Sequence, residues 1–438
     1  MKAIVKSEEK IMTIQWNEEA QRLSELCINL RRQLHRHPEL SSHEEQTVAL
    51  IDQFLQAQGI RTQIVEHGGV LGWIEGGKPG RTVMLRADID ALPIQEEKTN
   101  GGGSQKACVS EIPGVQHACG HDGHTAMLLT AAKLLQAHRE ALEGTVLLCF
   151  ERGEEATMNI YHLMKALEKA GIEPDSVFGL HVSPHTPAGT LQIQAGPLMA
   201  GMFSFHVRLQ GRGGHGSRPD LCVNPIDCYA AIGQALNALR MRTVSPFEPL
   251  TISTGLVQSG TKSNILPDTC VFKGTVRFYN REVGLAFQAK LRHVVEHIAE
   301  AYDCTASFDK LNAPGFPLNN DADYAKTAAE VCGEMLGKEA VIQAEPWMGT
   351  DSFPLYLQRM PGVYAFLGMR NEEKGIIADV HTSRHDLDES VLWKGAAAHA
   401  ACAEAFLKQA RPQAWKPNPL DLDTLFEQAG YLFPEGRE

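Results

Sequence analysis

The run His117-Ala-Cys119-Gly-His121-Asp122-Gly-His124 packs three imidazoles, a thiol and a carboxylate into one short stretch. Thiolate, imidazole and carboxylate together suit Zn²⁺ or another late divalent cation. Cys119 and His121 stand on either side of a glycine, so both can turn toward one ion from a loop or strand end. The competing reading is a histidine-rich turn that caps a helix from Thr125, with Asp122 as its N-terminal acid. Two adjacent acids, Glu154-Glu155, follow the apolar run 145–150. Such a pair alone is usually a solvated turn, but ligands of open α/β sheets gather at the carboxyl ends of strands. His181 closes the apolar run that starts at 176, and Asp88 closes the run Leu85-Arg86-Ala87-Asp88-Ile89-Asp90, where Asp90 reads as a turn residue. In Asp379-Val380-His381-Thr382-Ser383-Arg384-His385-Asp386, His381 and His385 compete for any one role.

These groups must be positioned by the rest of the chain. Helical spacing covers 17–37, 43–58, 125–137 and 159–170. Strand-like runs fall at 61–65, 70–74, 82–86, 145–150 and 176–181. Strands alternating with helices predict an α/β architecture, a mixed, mostly parallel sheet flanked by helices. The character changes near 199. Phe203, Phe205, Val207 and Leu209 alternate with more polar neighbours, and the order β-α-β-β-α-β follows through 310, which predicts an inserted α+β domain of ferredoxin-like type. The α/β pattern then resumes with a helix at 323–336, a strand at 362–367 and an alanine-rich helix at 390–408. The expected division is a catalytic domain in two parts, 1–198 and 312–410, an inserted domain at 199–311, and a tail at 411–438 read as extended or loosely ordered. Residues 98–106, rich in glycine, read as a flexible loop.

Composition narrows the function. The 438 residues carry a formal charge of −12 and 43% apolar residues. A net acidic chain without a clustered basic face argues against nucleic-acid binding. No apolar run reaches the length of a membrane span, and the first residues lack the apolar core of a secretion signal. The ten cysteines are scattered with no C-x-x-C pair, so reduced thiols and a cytoplasmic location are expected. Gly211-Arg-Gly213-Gly-His-Gly216 matches G-x-G-x-x-G, but Ser217-Arg-Pro-Asp follows instead of a helix, which argues against a dinucleotide site. A G-x-S-x-G nucleophile elbow is absent.

From about residue 24 to 408 the chain resembles the M20 metallopeptidases, in the branch of N-acyl-amino-acid amidohydrolases that includes hippurate and auxin-conjugate hydrolases. The resemblance rests on LRRQLHRHPELSSHE, LRADIDALPI, HACGHDGHTAMLL, Glu154-Glu155, FGLHV, AGPLMA, GRGGHGSRP, SNILPD, GTVR, MGTDSF and HTSRHDLDE, in that order. It implies two divalent metal ions per subunit (Zn, Mn, Co or Ni) on Cys119, His121, Glu155, His181 and His381. Glu154 would be the general base toward a metal-activated water, with Asp88 orienting a ligand. The inserted domain would be a lid and dimerisation domain. His215 would polarise the scissile carbonyl, in this family often in the partner subunit's site, while Asn264 and Arg277 hold the substrate, Arg277 by its carboxylate. The implied activity is hydrolysis of the amide bond of a small N-acyl amino acid by a homodimer or higher homo-oligomer. A dipeptidase or carboxypeptidase of the same family and a catalytically silent metal-binding homologue are the alternatives.

The chain also departs from the family pattern. Glu151-Arg152-Gly153 stands where Gln-Pro-Ala is usual before the two glutamates, and Ala156-Thr157-Met158-Asn159 replaces a glycine-rich stretch. The usual Gly-Gly-Glu-Asp-Phe has become Gly349-Thr350-Asp351-Ser352-Phe353, and His385 replaces an aromatic residue.

Overall fold

The computed structural model describes residues 14–155 and 159–431. The start of the chain, the last residues of the tail, and Ala156, Thr157 and Met158 of the altered loop lie outside them.

An eight-stranded mixed sheet runs in the order Arg61–Val65, Gly69–Glu75, Glu143–Glu151, Lys78–Asp88, Ser176–Pro187, Gly362–Arg370, Leu191–Gln192, Val341–Ile342. Its four middle strands, from Glu143–Glu151 to Gly362–Arg370, pair in parallel. Strands buried on both faces need apolar residues on both, and the side-chain period of two sorts them. Val146, Leu148 and Phe150 enter the core beneath the helices His121–Ala137 and Leu392–Lys408, whereas Leu147 and Cys149 face the opposite core, shared with Ile160–Lys169. The parallel alignment brings the carboxyl ends of three strands together, and these ends carry Asp88, Glu151 and the segment around His181.

Between Gly201 and Leu311 lies a second, antiparallel sheet, ordered Leu250–Ser259, Thr269–Phe278, Gly201–Gln210, Thr305–Leu311. Phe203, Phe205, Val207 and Leu209 are buried under the helices Pro225–Thr243 and Arg281–Ala301, and the alternate residues face away. The chain enters and leaves this sheet side by side: Gly196–Met199 pairs antiparallel with Leu318–Asn320, and Gly315 N–H donates to Met202 O at 2.9 Å.

Several expectations need correcting. The helix expected at 125–137 begins at His121, so the metal-type cluster opens a helix instead of preceding one. The strand expected to end at His181 continues to Pro187, which places His181 within it. The glycine-rich segment 98–106 is pinned, not loose. Asn100 Nδ2 donates to Lys374 O, Gly102 N–H donates to Gly375 O, and Lys106 Nζ reaches Glu96 at 2.8 Å. The tail contains a helix, Leu422–Gln428, whose Leu422, Leu425 and Phe426 are buried. No helix among the described residues is long and apolar enough to cross a membrane.

Candidate metal centre and active site

Gly120 has φ +87°, and a Cβ there would run into the Val182 side chain. Only glycine meets both demands, and the turn it makes lets Cys119 and His121 face the same space. Cys119 Sγ lies 3.5 Å from His181 Nε2. Ligand atoms of Cys119, His121 and His181 fall within 4.8 Å of one another, as do those of Cys119, Glu155 and His381, and those of His121, Glu154 and Glu155. All five expected ligands thus converge from four segments, and Cys119 belongs to two of the groups. His381 adopts φ +59°, a left-handed conformation uncommon for a non-glycine residue, and its N–H donates to Ala118 O at 2.8 Å. That bond ties the distant loop to the cysteine segment.

Neighbouring carboxylates fix which face of each imidazole looks inward. His121 Nδ1 meets Asp90 Oδ1 at 3.1 Å, so Nε2 points at the centre. Asp90 is itself buried, and also accepts Ser41 Oγ at 2.6 Å and the Glu155 N–H at 3.1 Å. One carboxylate therefore orients two candidate ligands. The turn reading of Asp90 missed this. Asp88 takes a different partner: its Oδ1 meets His124 Nδ1 at 2.5 Å, and His124 Nε2 accepts the Val182 N–H at 2.9 Å, beside His181. His181 Nδ1 bonds Val182 O at 2.6 Å, which leaves its Nε2 inward. His124 was visible in the sequence cluster, but nothing there distinguished a supporting imidazole from a ligand.

The donor set fits divalent cations. His121 Nε2 and Glu155 Oε1 are buried without a hydrogen-bond partner, and Glu155 Oε1 sits 3.1 Å from His381 Nε2 without hydrogen-bond alignment. Orphaned, inward-facing polar atoms are costly unless something binds them. Burial and the nearby Glu155 carboxylate push the Cys119 thiol well up, an effect a bound cation would reverse. Burial and His124 hold His181 well below the usual histidine range, which keeps it a neutral, ligand-ready imidazole. Burial opposes the charged form of His121 too, but Asp88 and Asp90 outweigh it and raise its pKa.

Glu154 stands beside this set. Burial first, then the Asp351 and Glu155 carboxylates, raise its pKa well above the ordinary carboxyl value. Its Oε1 accepts the Ser352 N–H at 3.0 Å. The segment that carries it is anchored from the helix Glu45–Ala57: Glu44 accepts Arg152 Nε at 2.7 Å and the Gly153 N–H at 2.8 Å. Behind it lies the wholly buried Arg86, paired with Asp88 at 2.7 Å and Glu151 at 2.9 Å. Breaking a buried pair by removing one partner costs about 3–5 kcal/mol, so this network stiffens the floor of the site. Sequence reading passed over Arg86 and Glu44, because their partners are remote in the chain.

Three expected residues lie elsewhere. Arg277, half-buried on the inserted sheet, donates to Met348 O at 2.7 Å, and burial without a compensating acid lowers its pKa. His215 is exposed, with its Nδ1 2.8 Å from Ser217 Oγ. Exposed Asn264 uses its backbone carbonyl to accept the Gly216 N–H. Among the described residues, neither His215 nor Asn264 bonds to the cluster. Beside the cluster a cavity of about 200 Å³ opens between the His181 and His381 segments, lined by Val182, His185, Trp347, Phe366 and Val380.

A model of peptidase family M20/M25/M40 matches residues 84–405. Thermostable carboxypeptidase 2 of Saccharolobus solfataricus is 36% identical, over 88% of this chain and 96% of its own length. IAA-amino acid hydrolase ILR1-like 2 of Arabidopsis thaliana is 35% identical, over 87% of this chain and 85% of its own. Among solved structures, a Bacillus subtilis protein described as a dinuclear metal binding peptidase from the M20 family superposes with TM-score 0.74 at 31% identity, covering 89% of this chain and 99% of that one.

Proposed function

Because the chain belongs to peptidase family M20/M25/M40, and is a hydrolase of that family, we propose that it cleaves the amide bond of N-acyl amino acids at a centre of two divalent ions. Zn, Mn, Co and Ni all suit the ligands Cys119, His121, Glu155, His181 and His381. The observation that carries this reading is the juxtaposition of Glu154, itself outside the two three-residue groups that share Cys119, with ligands gathered from four segments. A structural zinc site is compact and closed, without such a spare acid.

When bound, the ions supply Lewis acidity, which lowers the pKa of water and polarises a carbonyl. Glu154 takes the proton of the attacking water and delivers it to the departing amine nitrogen. Arg277, lacking a carboxylate of its own, pairs with the free carboxylate of the substrate. The cavity beside Trp347 and Phe366 receives the acyl group. Its aromatic lining favours a flat, apolar acyl moiety over acetyl. The inserted sheet acts as lid and dimerisation domain, and the exposed His215 serves the partner subunit's carbonyl in a homodimer. The free thiols among the described residues accord with a cytoplasmic location.

The deciding experiment is release of amino acid from N-acetyl, N-benzoyl and N-indoleacetyl amino acids and from dipeptides, by chelator-stripped protein with each metal restored. Metal-dependent release, fastest with an aromatic acyl group, is expected. Faster release from dipeptides would favour the carboxypeptidase reading that the Saccharolobus relative's name suggests. No release from folded, metal-loaded protein would overturn the function. For His215→Ala, kcat should fall by about a hundred- to a thousand-fold with the dimer intact. Unchanged turnover would remove this histidine from the reaction.

A further inference from the structure

Arg86 donates four hydrogen bonds and makes one looser ion pair. Nε serves Glu151 Oε2 at 2.9 Å, Nη1 serves Asp88 at 2.7 Å and Tyr364 Oη at 3.1 Å, and Nη2 serves Ser352 Oγ at 2.8 Å and approaches Asp351 at 3.4 Å. Glu151 also accepts the Ser352 hydroxyl at 2.6 Å and the Tyr356 hydroxyl at 3.1 Å. The Ser352 backbone N–H is then left to donate to Glu154 Oε1 at 3.0 Å. A buried guanidinium, a carboxylate and a hydroxyl thus fix the residue whose amide holds the base.

Glu151 and Ser352 both bind Arg86, and changing either one alone, to glutamine or to aspartate, alters the charge around that guanidinium. They are 201 residues apart in the chain and meet in one hydrogen bond. Each change alone would unbalance the network. A glutamine at 151 presents an NH₂ where Glu151 now accepts, and leaves Arg86 with less negative charge. An aspartate at 352 adds a fourth carboxylate around one guanidinium, next to Glu151. Made together, the two changes keep the number of carboxylates constant and move one of them across Arg86.

We propose that Glu151 and Ser352 are a matched pair of positioning residues, which through Arg86 and the Ser352 amide hold the Glu154 carboxylate toward the substrate. The proposal rests on Glu154 acting as the base.

The test compares wild type, Glu151→Gln, Ser352→Asp and the double variant for kcat, KM, bound metal and thermal midpoint. Each single change should lower kcat by about a hundred-fold, the cost of a small misplacement, with KM and metal content nearly unchanged. The double variant should recover most of the lost turnover and midpoint, because charge and donor–acceptor matching return. Ser352→Ala, which removes the hydroxyl without adding charge, covers the case in which Ser352→Asp does not fold, and it too should lower kcat with metal retained. Single variants with wild-type turnover, or a double variant whose losses multiply, would overturn the pairing. Wild-type protein inactive on every substrate would instead overturn the assignment of Glu154, and the thermal midpoints of the four proteins would still decide whether 151 and 352 are coupled.

Discussion

Glu154→Gln is expected to abolish nearly all turnover while both metals stay bound. Glutamine keeps the shape of the side chain and can still accept the Ser352 N–H, now 3.0 Å from Oε1. It cannot take a proton from water or return one to an amine. General-base groups contribute about a hundred- to ten-thousand-fold, and Glu154 is proposed to act in both halves of the reaction, so the upper end applies. Metal content by elemental analysis separates this from a ligand defect, since Glu155 remains to bind. A variant that keeps most of its activity would mean that another group moves the proton.

The second large effect is expected at Asp90. Its carboxylate accepts from His121 Nδ1, Ser41 Oγ and the Glu155 N–H. In Asp90→Asn one of the two oxygens becomes an NH₂ that faces donors. The His121 ring and the Glu155 backbone then lose their common anchor. Groups that orient metal ligands are typically worth ten- to a hundred-fold in metal affinity, and Asp90 holds two candidate ligands, so a loss of about a hundred-fold is expected by competition with a chelator. Affinity equal to wild type would reduce Asp90 to the turn residue its sequence context suggests.

That contrast shows what the sequence can carry. The candidate ligands could be read because Cys119 and His121 share one short run and the acids follow a strand. The strand runs could be read because a parallel sheet buried on both faces demands continuous apolar segments. Asp90 was hidden because a carboxylate after a strand looks the same whether it meets solvent or a histidine from another segment. Arg86 was hidden for the same reason, its partners at 151, 352 and 364 being far away in the chain. The start of the helix at His121 was missed because the left-handed Gly120 that permits it resembles an ordinary turn glycine. The tail helix Leu422–Gln428 was missed because seven residues are too few for a periodic signal, and packing against the core makes it.

The inserted sheet hangs from the larger sheet by two strands hydrogen-bonded to each other, Gly196–Met199 and Leu318–Asn320. A single strand would let the suspended part swivel about every bond. Two strands laced into a ribbon cannot turn about their single bonds independently of each other. Together with the bond from Arg277 to Met348 O, the ribbon fixes where the inserted sheet stands against the larger one.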